Sequence, residues 1–193
     1  MRVHIIYAHP SSESFTYAIL KAFMTGLAEA GHECTVSDLY AMGFRPELTL
    51  NEHELFRDGA DDSALPSDVV AEREKLLAAQ AWAFVYPNWW TDCPAIMKGW
   101  FDRVWTGFAK GPQEKPPARK ALVLCTAGHT IERLRELDEY QAMQTAMLTD
   151  RIAHRAAEKS FHVFGGSAAF QGQDWELRRD AHLKTARRLG REF

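Results

Sequence analysis

The sequence lacks the features that would suit the chain to a membrane, to nucleic acid or to disulfide bonding. No apolar run approaches the about 20 residues of a membrane-spanning helix, so we expect no membrane insertion. A formal net charge of −3 provides no basic field, so we expect no nucleic-acid partner. The three cysteines, Cys34, Cys93 and Cys125, cannot all pair, and their spacing matches no zinc motif. We therefore predict a cytoplasmic protein without a metal site.

Short apolar runs alternate with helical patterns along the chain. Apolar runs typical of buried strands occur at Arg2–Ala8, Glu33–Leu39, Ala81–Pro87, Lys120–Gly128 and Ser160–Gly166. The spacing of apolar residues predicts helices at Phe15–Ala30, Asp68–Gln80, Pro94–Trp105, Leu137–Lys159 and Trp175–Arg191. The residues from Tyr40 to Ser67 are predicted as one long irregular loop. This alternation predicts a single α/β domain over residues 1–193, a doubly wound parallel sheet with helices on both faces.

Ligands of doubly wound sheets bind beyond the carboxyl ends of the strands, which directs attention to the loops after strands one, three and four. The first loop reads HPSSESFTY, and its hydroxyl groups at a helix N-terminus suit a phosphate or simply cap the helix. It contains neither GxGxxG nor GxxxxGK[ST], so neither a dinucleotide loop nor an ATP loop is indicated. The loop after strand four, TAGHT, is a small-residue turn whose backbone N–H groups can approach a ligand closely.

The loop after strand three opens a segment with four of the six tryptophans, YPNWWTDCPAIMKGWFDRVW. Trp89 and Trp90 suit the walls of a site for a flat aromatic ligand, and Thr91 and Asp92 suit its polar rim. Trp100 and Trp105 follow at helical spacing, which favours packing in the core or between subunits. Residues Lys98, Asp102 and Arg103 of the same helix are predicted to form local ion pairs.

Four segments together resemble the flavodoxin-like NAD(P)H:quinone oxidoreductase family: AHPSSESFTYAI, DLYAMGFRPELT, YPNWWTDCPAIMKGWFDRVWTGFA and TAGHT. The resemblance runs from Arg2 to about Thr130 and is most specific in PAIMKGWFDRVW. It implies a flavodoxin-like five-stranded parallel sheet in the order 2-1-3-4-5. It also implies a flavin, with FAD favoured over FMN and FMN left open, and NAD(P)H as co-substrate. The implied activity is ping-pong two-electron reduction of a quinone or other small aromatic acceptor by a homodimer.

The resemblance also implies residue roles. Flavin contacts are implied for His9, Ser14, Phe15, Thr16, Pro87, Asn88, Trp89, Trp90, Thr91, Thr126, Ala127 and Gly128. The family's Tyr and His after the ring-rim turn have no clear match, which leaves His129 and Tyr140 as candidate catalytic proton donors. Two alternatives stay open: a regulatory flavoprotein subunit of a potassium-efflux or other membrane transporter, and a one-electron carrier like a flavodoxin.

Overall fold

The computed structural model describes residues 1–59, 61, 64–109, 116–168 and 174–193. They form a five-stranded sheet in the order β2-β1-β3-β4-β5, and every neighbouring pair of strands is parallel. The strands are β1 (Arg2–Tyr7), β2 (Glu33–Asp38), β3 (Ala81–Pro87), β4 (Ala118–Thr126) and β5 (Ala156–Phe164). The fold class and the strand order that the resemblance implied are confirmed.

The central strand β3 is buried along its whole length, as expected of a parallel sheet that is covered on both faces. Side chains alternate between the two faces. Phe84 and Val123 pack into one core, whereas Val85 and Leu124 pack into the other. The sheet therefore has a helical layer on each side, and a ligand can reach it at the ends of its strands.

The helices are α1 (Phe15–Glu29), α2 (Leu50–Arg57), α3 (Ser67–Ala78), α4 (Ala95–Trp100), α5 (Ile131–Glu136), α6 (Glu139–Gln144) and α7 (Trp175–Arg191). Helix α4 continues as a first π-helical segment, Phe101–Trp105, and α6 continues as a second π-helical segment, Thr145–Ile152. Helices α1 and α7 can cross closely because Gly26 and Gly190 have no Cβ atom. A Cβ atom at either position would collide with the backbone of the other helix. Among the helices described, none is both long and apolar enough to cross a bilayer.

Two predictions of secondary structure were wrong. The loop predicted from Tyr40 to Ser67 contains α2, whose first turn Thr49 and Glu52 close with a reciprocal capping box. The helix predicted over Leu137–Lys159 ends early, because Ala156 begins β5 and pairs with Ala118 of β4. Ala, Glu and Lys favour helices locally, but pairing with the neighbouring strand overrides that preference. By contrast, Ala81–Pro87 and Trp175–Arg191 have the predicted bounds.

Candidate active site

The loops after β1, β3 and β4 are joined at Thr126, the last residue of β4. The Thr126 hydroxyl lies 2.7 Å from the hydroxyl of Thr16 in the first turn of α1. Its carbonyl accepts a 2.7 Å hydrogen bond from the backbone N–H of Asn88. Both threonine side chains are buried. The three predicted site loops therefore meet at one point on the carboxyl edge of the sheet.

The loop after β1 is organised by its own polar side chains. Ser14 is the N-cap of α1 and accepts a 3.1 Å hydrogen bond from the N–H of Tyr17. The Nδ1 atom of His9 accepts from the N–H of Ser11 at 3.0 Å. Burial lowers the pKa of His9, so the neutral ring predominates and carries its proton on Nε2. The capping interpretation is thus correct for Ser14, while His9 retains a donor for a ligand.

The loop after β3 is a tight two-residue turn. Trp89 and Asp92 exchange backbone hydrogen bonds of 2.9 and 3.2 Å. Between them, Trp90 and Thr91 have φ values of +55° and +62°, a left-handed conformation that costs roughly 1 kcal/mol or more at each non-glycine residue. The turn holds the Trp90 side chain 99% exposed and Trp89 41% exposed. An aromatic surface of this kind is available to a flat ligand.

Asn88 supplies the strongest local indication of a ligand site. Its side-chain oxygen is buried and has no hydrogen-bond partner among the described residues. A buried acceptor left unpaired costs about 1–3 kcal/mol, so binding of a ligand that donates an N–H group to this oxygen would be favourable. The Tyr7 hydroxyl is also buried without a partner in the described part of the chain, and burial raises the pKa of Tyr7 to about 12. The predicted flavin carries an N–H on its rim, and the Asn88 oxygen fits that group.

The turn after β4 has one backbone N–H group that is available to a ligand. The N–H of Ala127 donates to the carbonyl of Phe164 at 3.0 Å, and the Ala127 carbonyl accepts from the backbone and the hydroxyl of Ser167. The N–H of Gly128 has no partner within the described ranges. Of the two, Gly128 is therefore the backbone donor that this turn offers to a ligand, and Ala127 supports the turn.

The two candidate proton donors lie in different settings. His129 is exposed, and its carbonyl accepts from the N–H of Gly166 at 2.8 Å. The ring of Tyr140 packs edge-on against Phe161, with a centroid distance of 5.9 Å, and beneath the guanidinium of Arg135. His129 thus stands on the edge that carries the site loops, whereas the ring contacts of Tyr140 belong to the β5 side of the core.

The structure adds residues that sequence reasoning missed. Phe15 packs against Trp175 and His182 of α7, with centroid distances of 4.9 and 5.9 Å.

Asp92, predicted as a polar rim for the site, instead forms a two-fold hydrogen-bonded ion pair with Arg151 at 2.7 and 2.9 Å. Burial would raise the pKa of Asp92, but the hydrogen bonds from Arg151 and the Cys93 N–H hold it below its usual value. Arg151 lies 59 residues from Asp92, so no local pattern relates the two.

The predicted ion pairs of the following helix are only partly correct. Lys98 and Asp102 do form a local surface pair at 2.6 Å. Arg103 instead is fully buried and pairs with distant Glu52 and Asp68 at 2.7 and 2.6 Å. Glu52 lies in α2 and Asp68 lies in α3, so Arg103 links both helices to the first π-helical segment from within the core.

Comparison with known proteins agrees with this geometry. A protein-family model described as a flavodoxin-like fold matches residues 1–163. The solved NAD(P)H:quinone oxidoreductase from Methanothermobacter marburgensis is 42% identical, with a TM-score of 0.89, and the match covers 100% of this chain and 96% of that one. An FMN-dependent NADH-azoreductase from Bacillus anthracis, solved in complex with FMN, is 16% identical with a TM-score of 0.65 over 98% of this chain and 99% of that one. At that identity it shares the fold alone.

A mammalian relative matches a shorter stretch. NAD(P)H dehydrogenase (quinone) 1 of Cavia porcellus is 36% identical over 149 residues, which is 66% of this chain and 53% of that protein. The chain therefore spans about half the length of this relative. The family match covers most of the chain, including the three site loops and all five strands up to Val163. The chain belongs to the flavodoxin-like NAD(P)H:quinone oxidoreductase family, as its sequence motifs indicated.

Proposed function

We propose that the protein binds a flavin at the carboxyl edge of its sheet and uses it to reduce quinones or related aromatic acceptors with NAD(P)H. The observation that carries this proposal is the loop after β3. It combines the unpaired, buried side-chain oxygen of Asn88 with the exposed indole of Trp90. A polar contact for a ring edge thus lies two residues from an aromatic surface. The 42% identity to a quinone oxidoreductase supports the same function.

Six of the predicted contacts have a specific role in this proposal. Ser14 is the N-cap of α1, where N–H groups and the positive end of the helix dipole favour a phosphate, and His9 lies in the loop before it. Asn88 and the N–H of Gly128 suit the polar rim of the ring. Trp89 and Trp90 suit its apolar walls. The full proposed set is His9, Ser14, Phe15, Thr16, Pro87, Asn88, Trp89, Trp90, Thr91, Thr126, Ala127 and Gly128.

When bound, the flavin would supply hydride transfer between NAD(P)H and the acceptor, in two alternating half-reactions. The chain's own residues supply binding and electrostatics. The Gly128 N–H stabilises negative charge on the ring rim. The indoles of Trp89 and Trp90 exclude water and orient the stacked substrates. His129 is the proposed proton donor because it is exposed on the same edge, and Tyr140 remains the second prediction.

The identity of the flavin is a separate part of the proposal. We propose FAD, which the family resemblance favours over FMN. Release of the cofactor by denaturation, followed by chromatography against FAD and FMN standards, tests this. Recovery of FMN in stoichiometric amount would replace FAD in the proposal and leave the quinone reductase activity unaffected.

Visible absorbance of the purified protein and NADPH–menadione turnover on the same sample test the central proposal. We expect a yellow protein whose flavin bleaches with NADPH and is reoxidised by menadione. A colourless protein that takes up neither FAD nor FMN would refute the proposal. Slow bleaching by NADPH together with fast one-electron exchange would instead favour a flavodoxin-like carrier.

Two further predictions concern partners and compartment. We propose a homodimer, which sedimentation of the purified protein would test. The cytoplasmic assignment is supported by three free thiols among the described residues. No observation favours the transporter alternative, and copurification with a membrane transporter would be the result that revives it.

A further inference from the structure

Arg151 connects the second π-helical segment to the turn formed by Trp89–Asp92. We propose that Arg151 is a positioning residue, which holds this turn in its left-handed conformation and thereby presents Trp90 to the ligand. The proposal deepens the proposed function and rests on it, since that function makes the turn one wall of the flavin and acceptor site. Arg151 itself would contact neither ligand and would act through Asp92.

The carboxylate of Asp92 is fixed by three donors. Arg151 donates from Nη1 to Oδ1 at 2.7 Å and from Nη2 to Oδ2 at 2.9 Å. The backbone N–H of Cys93 donates to Oδ1 at 2.6 Å. A planar guanidinium that binds both oxygens fixes the orientation of the carboxylate as well as its position. Since Asp92 closes the turn, fixing its side chain restricts the backbone of the turn.

Arg151 is in turn held firmly on its other sides. Its side chain is only 10% exposed, and its guanidinium lies 5.1 Å from the ring centroid of Phe101. Its Nη1 also approaches the sulfur atom of Met147 at 3.4 Å. Its backbone carbonyl accepts from the indole N–H of Trp105. Contacts from both π-helical segments therefore anchor the group that anchors the turn.

The turn needs such an anchor because its own contacts are weak. Its two central residues occupy a costly left-handed conformation, and Trp90 is fully exposed, so packing of that side chain does not hold the turn. Within the described part of the chain, two backbone hydrogen bonds close it, and the ring of Trp89 lies 6.0 Å from that of His9. Without the pair between Asp92 and Arg151, other turn conformations would become accessible and the indole of Trp90 would lose its fixed direction.

Arg155 offers a matched control on the same side of the molecule. Its guanidinium lies 5.3 Å from the ring of Trp105, and it donates to the carbonyls of Phe108 and Arg151, each at 3.0 Å. These are contacts of the π-helical region, and none of them involves the Trp89–Asp92 turn. Arg155→Met removes the guanidinium of a half-buried arginine in the same region and leaves the ion pair between Asp92 and Arg151 in place.

The test compares Arg151→Met, Arg151→Lys, Asp92→Asn and Arg155→Met by hydrogen exchange of the amides of residues 88–93, without and with added flavin. Loss of charge-assisted hydrogen bonds should speed exchange there about tenfold in Arg151→Met and Asp92→Asn. Arg151→Lys should be intermediate because an ammonium group does not bind both oxygens in one plane. Arg155→Met should lower the melting temperature without changing exchange in residues 88–93.

Steady-state kinetics on the same variants provide the second readout. Arg151→Met should raise the acceptor KM roughly threefold to tenfold while flavin affinity changes less, since the loss falls on the exposed stacking wall. The double variant Asp92→Asn, Arg151→Met should be no worse than either single variant, because both remove one shared interaction. Lysine at 151 should restore part of the KM.

Two results would overturn the positioning role: unchanged exchange of residues 88–93 in Arg151→Met, or equally faster exchange in Arg155→Met. Asp92→Asn and Arg151→Lys keep the test decisive if Arg151→Met fails to fold. The exchange readout does not depend on activity. A protein without flavin or quinone turnover that still shows the expected exchange pattern would refute the proposed function and support the role of Arg151 in the turn.

Discussion

The two halves of the tryptophan-rich segment use the same side chain in opposite ways. In the loop half, Trp90 is exposed to solvent on a strained turn. In the helical half, Trp100 is fully buried and donates its indole N–H to Glu72 at 2.9 Å. An indole combines a large apolar surface with one donor, so it suits either a core or a ligand site. The surrounding polar groups determine which role it takes.

The polar support differs as much as the exposure does. The buried carboxylate of Glu72 accepts from Trp100 and from Ser37, and Ser37 also contacts His4. Such a connected buried network resists disruption as a unit. In the loop half, two backbone hydrogen bonds and the ion pair between Asp92 and Arg151 support the turn. The helical half should therefore govern stability, and the loop half should govern ligand binding.

The largest expected effect is on stability and belongs to Trp100. Trp100→Ala leaves a large cavity and removes a donor from buried Glu72, so we expect a loss of about 3–5 kcal/mol in the free energy of unfolding. Trp100→Phe keeps most of the volume and should cost less. Urea unfolding measures both. A Trp100→Ala protein as stable as the wild type would contradict the assignment of this residue to the core.

We expect an effect of similar size at Arg103, since it lies in the helical half, is fully buried and has two distant acidic partners. Arg103→Met leaves the buried carboxylate of Glu52 without its main partner, and we expect a loss of about 3–5 kcal/mol in the free energy of unfolding. Lys98→Met is the matched control from the same helix, because its pair with Asp102 is on the surface; it should cost below about 1 kcal/mol. Equal losses in the two variants would refute the distinction.

His4, in β1, makes the buried network around Glu72 sensitive to pH. Burial lowers its pKa to about 4, against the charge of Glu72, which raises it. Because the unfolded chain takes up this proton first, the stability contributed by neutral His4 is complete above about pH 6.5 and is lost as the pH falls towards about 4.

His4→Gln should therefore flatten the stability curve between those pH values by roughly 1–3 kcal/mol. Urea unfolding at several pH values measures the difference from the wild type. His53→Gln, at an exposed histidine, is the control and should leave the curve unchanged. A His4→Gln curve parallel to that of the wild type would show that burial of His4 carries no such penalty.

The smallest effect on stability should come from Trp90. Trp90→Ala removes a side chain that is exposed in the structure, so the free energy of unfolding should change by no more than about 0.5 kcal/mol. Flavin affinity or the quinone KM should nevertheless worsen severalfold, since the stacking wall is lost. Fluorescence titration with flavin and menadione kinetics measure the two. If Trp90→Ala unfolds as readily as Trp100→Ala, the contrast between the halves fails.

Much of the architecture could be predicted from short stretches of sequence. Ala81–Pro87 is a continuous apolar run, and a run of that length between turn residues has few alternatives to a buried strand. Trp175–Arg191 has helical spacing over its whole length. The proximity of the loops after β1, β3 and β4 followed from one rule about the carboxyl ends of strands. Even the division between Trp90 and Trp100 followed from their positions in a loop and in a helix.

Other features escaped prediction because their causes lie far away in the chain. Helix α2 is short and rich in charge, and its buried Glu52 accepts a hydrogen bond from Arg103, which lies 51 residues later in the chain. The start of β5 is extended because β4 pairs with it. In the sequence, Asp92 has the character of a surface carboxylate, and only folding places Arg151 in contact with it.

Local apolar periodicity and turn chemistry therefore suffice for the element types, the sheet class and the sheet edge at which the three loops meet, because each depends on neighbours within a few residues. The burial of Arg103, the pairing of Asp92 with Arg151 and the conformation that exposes Trp90 depend on contacts that form when distant segments pack. A charged side chain has no intrinsic preference that reveals its eventual partner, since desolvation and pairing arise only in the folded chain.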